Sequence, residues 1–509
     1  MPGTRVLVLD FGSQTTQLIA RRVRAMGVYC EILPCDAPVR PSEDLGGLVL
    51  SGGPASVYDA DAPRFDPAWL DVGVPILGIC YGMQLLVQLG GGRVEPAARR
   101  EFGAATLRVV AGNDPLVAGI PVRSTAWMSH GDHAVDLPHG ADTLVSTESC
   151  PVAGFADRTR RRWGIQFHPE VTHSEHGTTL LRNFVQGVCG VHGDWSMDGF
   201  LDTQVAAMRA AVGDEGRVIC ALSGGVDSSV TAALLHRAIG ERLHCIFVDN
   251  GLLRQGERES VEREFADLDV RVVDASERFL AGLAGVEDPE AKRRVIGEIF
   301  VRVFEEQARA VPNARWLAQG TLYPDVIEST SVRGPASRIK SHHNVGGLPA
   351  DMQLALLEPL RDLFKDEVRA LGRVLGLSAA RIDRPPFPGP GLAVRCPGVV
   401  TRARLEVLRA ADAIVESEIR AANCDRDLWQ YFAVLLPVRS VGVMGDHRTY
   451  EETCVVRAVH STDGMTADVA ELPWAVLHRI AARIINEVRG INRVAYDLST
   501  KPPATIEWE

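Results

Sequence analysis

No C-x-x-C pair occurs among the ten cysteines, so neither a zinc ribbon, a dithiol redox motif nor a disulfide framework is indicated. Most of the cysteines are expected to be reduced, buried core thiols. No apolar run approaches the roughly 18 residues of a membrane-spanning helix. Positive charge is in deficit: 54 Lys and Arg against 65 Asp and Glu give a net charge of -11. That balance opposes a general nucleic-acid surface, which is normally basic. Met1-Pro2-Gly3-Thr4-Arg5 runs straight into the strand-like Val6-Leu7-Val8-Leu9 with no secretory hydrophobic core. These absences fit a cytoplasmic enzyme acting on small molecules, with no nucleic-acid or membrane partner. No internal repeat or low-complexity segment is present.

What is present is an alternation repeated twice. With 509 residues the chain has room for about two to four domains. Residues 1–192 alternate glycine-bounded apolar runs (Val6–Leu9, Leu48–Leu50, Pro75–Ile79) with segments of helical period. Such runs read as buried parallel strands with crossover helices. The linker Gly190-Val191-His192-Gly193-Asp194-Trp195 breaks the pattern, which restarts over 196–384. Arg384-Pro385-Pro386-Phe387-Pro388-Gly389-Pro390-Gly391 then holds four prolines in eight residues and excludes a helix or central strand. Residues 385–509 read as strand (Leu392–Arg395), helix, two strands, helix and strand, a split βαβ order. The fold class is therefore α/β: two open parallel-sheet domains followed by a small α+β domain. A small sheet of this kind often has an open face, where a homodimer contact is expected.

Gly78-Ile79-Cys80-Tyr81-Gly82 lies where a buried strand hands over to a helix. Its glycines permit a turn that projects the Cys80 thiol, and the positive end of a helix dipole favours a thiolate there. A buried cysteine beside a tight turn is the alternative for these five residues alone. Gln166-Phe167-His168-Pro169-Glu170 shifts the balance, because His168 and Glu170 share a face in extended chain. The imidazole can carry the thiol proton to leaving ammonia, and the carboxylate can orient the ring. Together these motifs resemble the triad of class I glutamine amidotransferases. Asp10-Phe11-Gly12-Ser13-Gln14, Ser51-Gly52-Gly53-Pro54 and Met128-Ser129-His130-Gly131-Asp132 extend the resemblance across the first domain. It implies an oxyanion hole from the Gly53 and Tyr81 amides, and glutamine held by Gly52, Gln84, Ser129, His130, Gly131 and Asp132. We read His130 and His133 as structural or substrate-shaping rather than catalytic.

Ser223-Gly224-Gly225-Val226-Asp227-Ser228-Ser229 follows an apolar strand and opens a helix, the setting of an anion-binding loop. No Gly-Lys-Ser/Thr follows, so it is not a Walker A loop. A glycine-rich turn without a ligand is the bland alternative. The loop resembles the signature of N-type ATP pyrophosphatases, which implies ATP cleavage between the α and β phosphates and Mg²⁺ on Asp227. Val248-Asp249-Asn250-Gly251 ends the next strand and is expected to line the adenosine site.

Three further segments, Gln319–Ser329, Ile339–Pro349 and the terminal Lys501–Glu509, resemble the GMP synthase family, and Val438–Asp446 agrees. That resemblance spans the chain. It implies XMP as acceptor, with Lys501 on the nucleotide phosphate, Ile506 and Glu507 against the nucleotide, and Lys340 in a lid beside His342-His343. Adjacent histidines otherwise suggest a metal site, but no further ligand set accompanies them. Thr15, His447 and Gly464 depart from residues usual in the family. The resemblance implies that glutamine hydrolysis at Cys80 supplies neutral ammonia, ATP adenylates XMP, and ammonia displaces AMP. Some domain movement or a sheltered path between the halves is then expected. Two rivals remain at this stage: another pyrophosphatase of this loop class, tRNA-thiolating or NAD-forming, and a sensor built from decayed enzyme domains.

Overall fold

A computed structural model describes residues 4–39, 42–330, 354–383, 386–444, 446–461, 464 and 466–509. Lys340 and the His342-His343 pair lie outside these residues. The chain divides into two compact units, residues 1–203 with 323–341 and residues 204–322 with 342–509.

The first unit is built on a nine-stranded sheet ordered β2-β1-β3-β4-β9-β8-β7-β5-β6. Strands β1 (Arg5–Asp10), β2 (Cys30–Pro34), β3 (Leu45–Leu50), β4 (Ile76–Ile79) and β9 (Arg162–Ile165) are mutually parallel. Their apolar runs are buried on both faces, as expected of strands covered by helices. The remaining strands, β5 (Arg93–Val109), β6 (Arg123–Asp136), β7 (Asp142–Ser146) and β8 (Gly154–Asp157), extend the sheet antiparallel. The sequence pattern predicts parallel strands alone here. Within this unit Tyr323 offers its hydroxyl to the Ile32 carbonyl at 3.3 Å, and the Arg24 guanidinium lies 4.8 Å from its ring centre.

The second unit holds a wholly parallel sheet ordered β12-β11-β10-β13-β14. Its strands are β10 (Arg217–Leu222), β11 (Leu243–Asp249), β12 (Val270–Asp274), β13 (Ala314–Ala318) and β14 (Ala355–Leu357). Strand β10 is central, with the chain running outward to β11 on one side and returning at β13 on the other. That reversal is the switch point where open α/β sheets bind ligands.

The C-terminal sheet pairs β15 (Gln430–Met444) antiparallel with β16 (His447–His460); β16 also pairs with β17 (Asp468–Val469) and, in parallel, with β18 (Ile491–Tyr496). Alternation along β15 sorts two faces. Tyr431, Ala433 and Leu435 join Leu408, Val415, Ile480 and Ile484 of two helices, Arg402–Ala421 and Trp474–Glu487. Phe432 and Val434 turn the other way, toward Ala467 and Ile506. The first of these cores also contains Ile219, Ile246 and Phe279, so one apolar cluster runs from the parallel sheet into the C-terminal region.

One expected strand is absent. Leu392–Arg395 belongs to a 3₁₀ turn, Gly391–Arg395. Gly391 takes a left-handed φ of 64°, and a Cβ there would lie 2.5 Å from the Leu252 carbonyl oxygen. The Leu392 amide donates to that oxygen at 2.8 Å. This bond and the tight approach fix a turn where four consecutive buried residues resemble a buried strand.

Candidate active site

Parallel pairing assembles the first site. The carboxyl ends of β1, β3, β4 and β9 are neighbours, and they deliver Ser13–Thr15, Ser51–Gly53, Cys80–Gly82 and Gln166–Glu170 to one edge. Cys80 has φ 51° and caps the helix Tyr81–Leu89, a strained elbow of the kind that projects a nucleophile. The elbow depends on its glycines: a Cβ on Gly82 would stand 2.3 Å from the Leu50 carbonyl oxygen, and one on Gly78 would stand 2.5 Å from Gly82. Gly82→Ala is therefore expected to shift the thiol and lower glutamine hydrolysis by at least about tenfold, measured as ammonia release.

His168 Nδ1 lies 2.8 Å from Glu170 Oε1, with both side chains buried. Residues 166, 168 and 170 share one face, so the Gln166 amide also reaches the site and donates to Cys80 Sγ at 3.6 Å. Gln166 was missed as a functional residue, although the same period-2 logic that pairs His168 with Glu170 includes it. Gly52 forms the facing wall: a Cβ there would come 3.1 Å from His168 Cε1 and 3.6 Å from Cys80 Cβ. Among the described residues, neither the Gly53 amide nor the Tyr81 amide has a hydrogen-bond partner. Their neighbours are engaged, Cys80 N–H with the Ile165 carbonyl at 2.8 Å and Gly82 N–H with that of Ser51 at 3.0 Å. One unpartnered donor after β3 and one at a helix start, both beside the Cys80 thiol, suit a developing oxyanion.

Burial draws the His168 pKa down, but hydrogen bonds to Cys80 and Glu170, with their charges, outweigh it and push it up to about 10. A histidine whose folded pKa is raised contributes stability that is complete below its unfolded value near 6.5 and is lost as pH rises through about 10. The stability advantage of the wild type over His168→Asn is thus expected to shrink between these limits, read from denaturant midpoints across that range.

Gln84, Ser129, His130 and Asp132, the residues expected to hold glutamine, lie beside Cys80 and Gln166. Gln84 donates to the Asp132 carbonyl at 2.9 Å and to Gln166 Oε1 at 3.2 Å. The Ser129 carbonyl lies 3.7 Å from Cys80 Sγ. The Asp132 carboxylate accepts from the Tyr58 hydroxyl at 2.8 Å and from Ser56. His130 is buried between the Asp132 carbonyl at 2.9 Å and Glu101 Oε2 at 3.1 Å. Burial works against ionisation of Glu101, yet hydrogen bonds from Ser149, Thr147 and His130 hold its carboxyl below the usual range. Cys150 approaches the same pair, its thiol pushed up to about 12 by burial and by the Glu101 charge. Each of these three side chains is already hydrogen-bonded.

The second candidate site follows β10. Gly224 takes φ 76°, Gly225 caps the helix Val226–Ile239 without a side chain, and Ser229 Oγ donates to the Gly225 carbonyl at 2.7 Å. The Ser223 and Ser228 hydroxyls lie 3.1 Å apart across the loop. After β13, Gly320 packs against Asp227, where a Cβ would meet it at 3.3 Å. Asp249 and Asn250 accept from Gly251 and Leu252 amides and shape the turn after β11. Both Asp227 carboxylate oxygens lie 2.6 Å from Lys365 Nζ. Nothing in the spacing of the sequence marks Lys365, which is 138 residues away.

The terminal residues are clamped, not frayed. Buried Arg395 forms a bidentate pair with Glu507 at 2.8 and 2.9 Å, and Arg457 holds the Ile506 and Thr505 carbonyls at 2.8 Å. Lys292, fully buried, binds the Glu509 carboxylate. Ile506 is in the apolar cluster, while Lys501 Nζ donates to the Gly464 carbonyl at 2.8 Å. Ile506, Glu507 and Lys501 thus come together in one region of the second unit.

Residues 7–188 match the class-I glutamine amidotransferase family, 216–274 the tRNA methyl transferase HUP domain and 417–508 the GMP synthase C-terminal domain. An amidotransferase joined to a nucleotide-binding synthetase is the class so defined. The chain is 56% identical over 513 residues to the glutamine-hydrolysing GMP synthase of Phenylobacterium zucineum, covering 99% of this chain and 98% of that protein. It is 54% identical to the enzyme of that name from Elusimicrobium minutum, covering 99% and 100%. A putative GMP synthase protein from Thermoplasma acidophilum, known from its crystal structure, is 33% identical, with a TM-score of 0.33, over 37% of this chain and 94% of that one. The chain belongs to the glutamine-hydrolysing GMP synthase family.

Proposed function

We propose that the chain aminates XMP to GMP with nitrogen from glutamine and energy from ATP. The observation that carries this reading is the Cys80, His168 and Glu170 cluster at one sheet edge, on a chain that also bears the switch-point loop 223–229. Cys80 sulfur attacks the side-chain amide carbon of glutamine, and the Gly53 and Tyr81 amides receive the oxyanion. His168 protonates the departing nitrogen, which leaves as ammonia. It then takes a proton from water, which cleaves the thioester to glutamate and restores the thiol. Glu170 holds the imidazole tautomer that this exchange requires.

In the second unit, O2 of the xanthine attacks the α-phosphorus of ATP and expels pyrophosphate. Ammonia adds at C2, AMP leaves and GMP remains. Activation is needed because a carbonyl oxygen is a poor leaving group and AMP a good one. Ammonium has no lone pair, so the nitrogen must arrive unprotonated. The amides and hydroxyls of 223–229 are suited to the ATP phosphates. Asp227, with its hydroxyl neighbours, offers the hard oxygen donors that Mg²⁺ prefers, and an ion held there would offset charge on leaving pyrophosphate. Lys365 occupies one lone pair on each Asp227 oxygen, and the remaining lone pairs stay available to the ion. Lys501, Ile506 and Glu507 are the residues this reading puts against XMP.

Val438, Val441, Val443 and Tyr450 stand exposed on the β15–β16 hairpin, which supports a homodimer joined through the C-terminal sheet. Free cysteines fit action in the reducing cytoplasm, and among the described residues no helix is long and apolar enough to cross a membrane. Incubation with XMP, ATP, Mg²⁺ and glutamine tests the reaction: GMP, AMP, pyrophosphate and glutamate are expected in equal amounts. Amination of deamido-NAD in place of XMP would contradict it.

A further inference from the structure

Thr15 follows β1 and occupies the N-cap of the helix Thr16–Arg24. A threonine there ordinarily accepts a hydrogen bond from an amide of its own first turn, but this one makes no such bond. Its hydroxyl instead lies 2.6 Å from Glu170 Oε1, 155 residues away. An ionised carboxylate accepts only, so Thr15 is the donor. The single hydroxyl proton is then committed, which makes Ser13 Oγ, at 2.9 Å, the donor to Thr15 Oγ1. Ser13 Oγ in turn accepts from the Thr15 amide at 3.2 Å. Two hydroxyls thus run with one polarity and end on Oε1.

That oxygen is also the partner of His168 Nδ1, at 2.8 Å. The other carboxylate oxygen, Oε2, is buried without a partner among the described residues. The terminal carboxylate torsion of glutamate is broad, so backbone geometry alone does not fix the plane in which the carboxylate meets the ring.

We propose that Thr15 is a positioning residue for glutamine hydrolysis: its hydroxyl, backed by Ser13, fixes Glu170 Oε1 toward His168 and so sets the imidazole that serves Cys80. The proposal rests on the triad reading above. Ser13 is the outer support.

Thr15→Val exchanges the hydroxyl for a methyl of similar size, and Thr15→Ser keeps it. Steady-state glutamine hydrolysis reads the outcome. Loss of a hydrogen bond to a charged group predicts a kcat about tenfold to a hundredfold lower in Thr15→Val. The KM for glutamine should stay within about twofold, because a positioning defect acts on the reacting state. Thr15→Ser should recover most of the lost kcat, and Ser13→Ala, with Thr15 intact, should show a smaller loss than Thr15→Val. A wild-type kcat in Thr15→Val, a defect confined to KM, or a serine variant as impaired as the valine one would overturn the proposal. Cys80→Ala is measured alongside. Its retention of hydrolysis would remove the triad reading itself, whereas its inactivity beside a fully active Thr15→Val would remove only the role of Thr15.

Discussion

Cys80→Ala is expected to lose glutamine-dependent GMP synthesis by at least about a thousandfold, since no other group replaces a covalent nucleophile. Synthesis from free ammonia should persist at comparable kcat. Cys80 belongs to the sheet edge of the first unit, whereas the loop 223–229 and the C-terminal residues belong to the second. Initial rates of AMP formation with glutamine or with ammonium chloride at alkaline pH separate the two. Loss of both activities would mean that the chemistry does not divide between the units.

A second large effect is expected at the C-terminus. Arg395 is fully buried against Phe432, whose ring centre lies 4.0 Å away, and its charge is balanced by the bidentate Glu507 carboxylate. Burial works to lower the Arg395 pKa, but the charges and hydrogen bonds of Glu507 and the charge of Asp412 raise it above the usual value. Glu507→Ala removes the bidentate partner and leaves that buried guanidinium only the more distant Asp412 carboxylate, 4.0 Å away, at a cost of about 3–5 kcal/mol. Urea unfolding in the absence of nucleotide should show the loss as a lower midpoint. Adding Arg395→Met should restore most of it, because removing both charges also removes the unpaired one. An unchanged midpoint in Glu507→Ala would show that the clamp is not a structural ion pair.

The parts of the site carried by local chemistry were legible. Glycines at 78 and 82 marked the elbow, period-2 alternation paired His168 with Glu170, and a strand, a glycine loop and a helix framed Asp227. Contacts closed by the tertiary fold were not. Lys365 reaches Asp227, and Arg395 reaches Glu507, across more than a hundred residues of chain without any shared pattern. Thr15 stood out only as an unusual residue, and its bond to Glu170 depends on the order of β1, β3, β4 and β9. The antiparallel extension β5–β8 was also unread: its pairs β5–β6, β7–β8 and β8–β9 join neighbours in the chain, but a strand such as Arg123–Asp136 alternates buried with more exposed residues instead of forming the continuous apolar run that marked the parallel strands. Leu392–Arg395 failed for a different reason: four buried residues in a row satisfy a core strand and a buried turn alike, and the close approach of Gly391 to Leu252 decides for the turn.

The most direct test of the account follows the nitrogen. With glutamine labelled in its side-chain amide with ¹⁵N, and XMP and Mg·ATP supplied, mass spectrometry should find the label on the purine of GMP, with one AMP and one pyrophosphate per product. Unlabelled GMP, or ADP and orthophosphate in place of AMP and pyrophosphate, would contradict it.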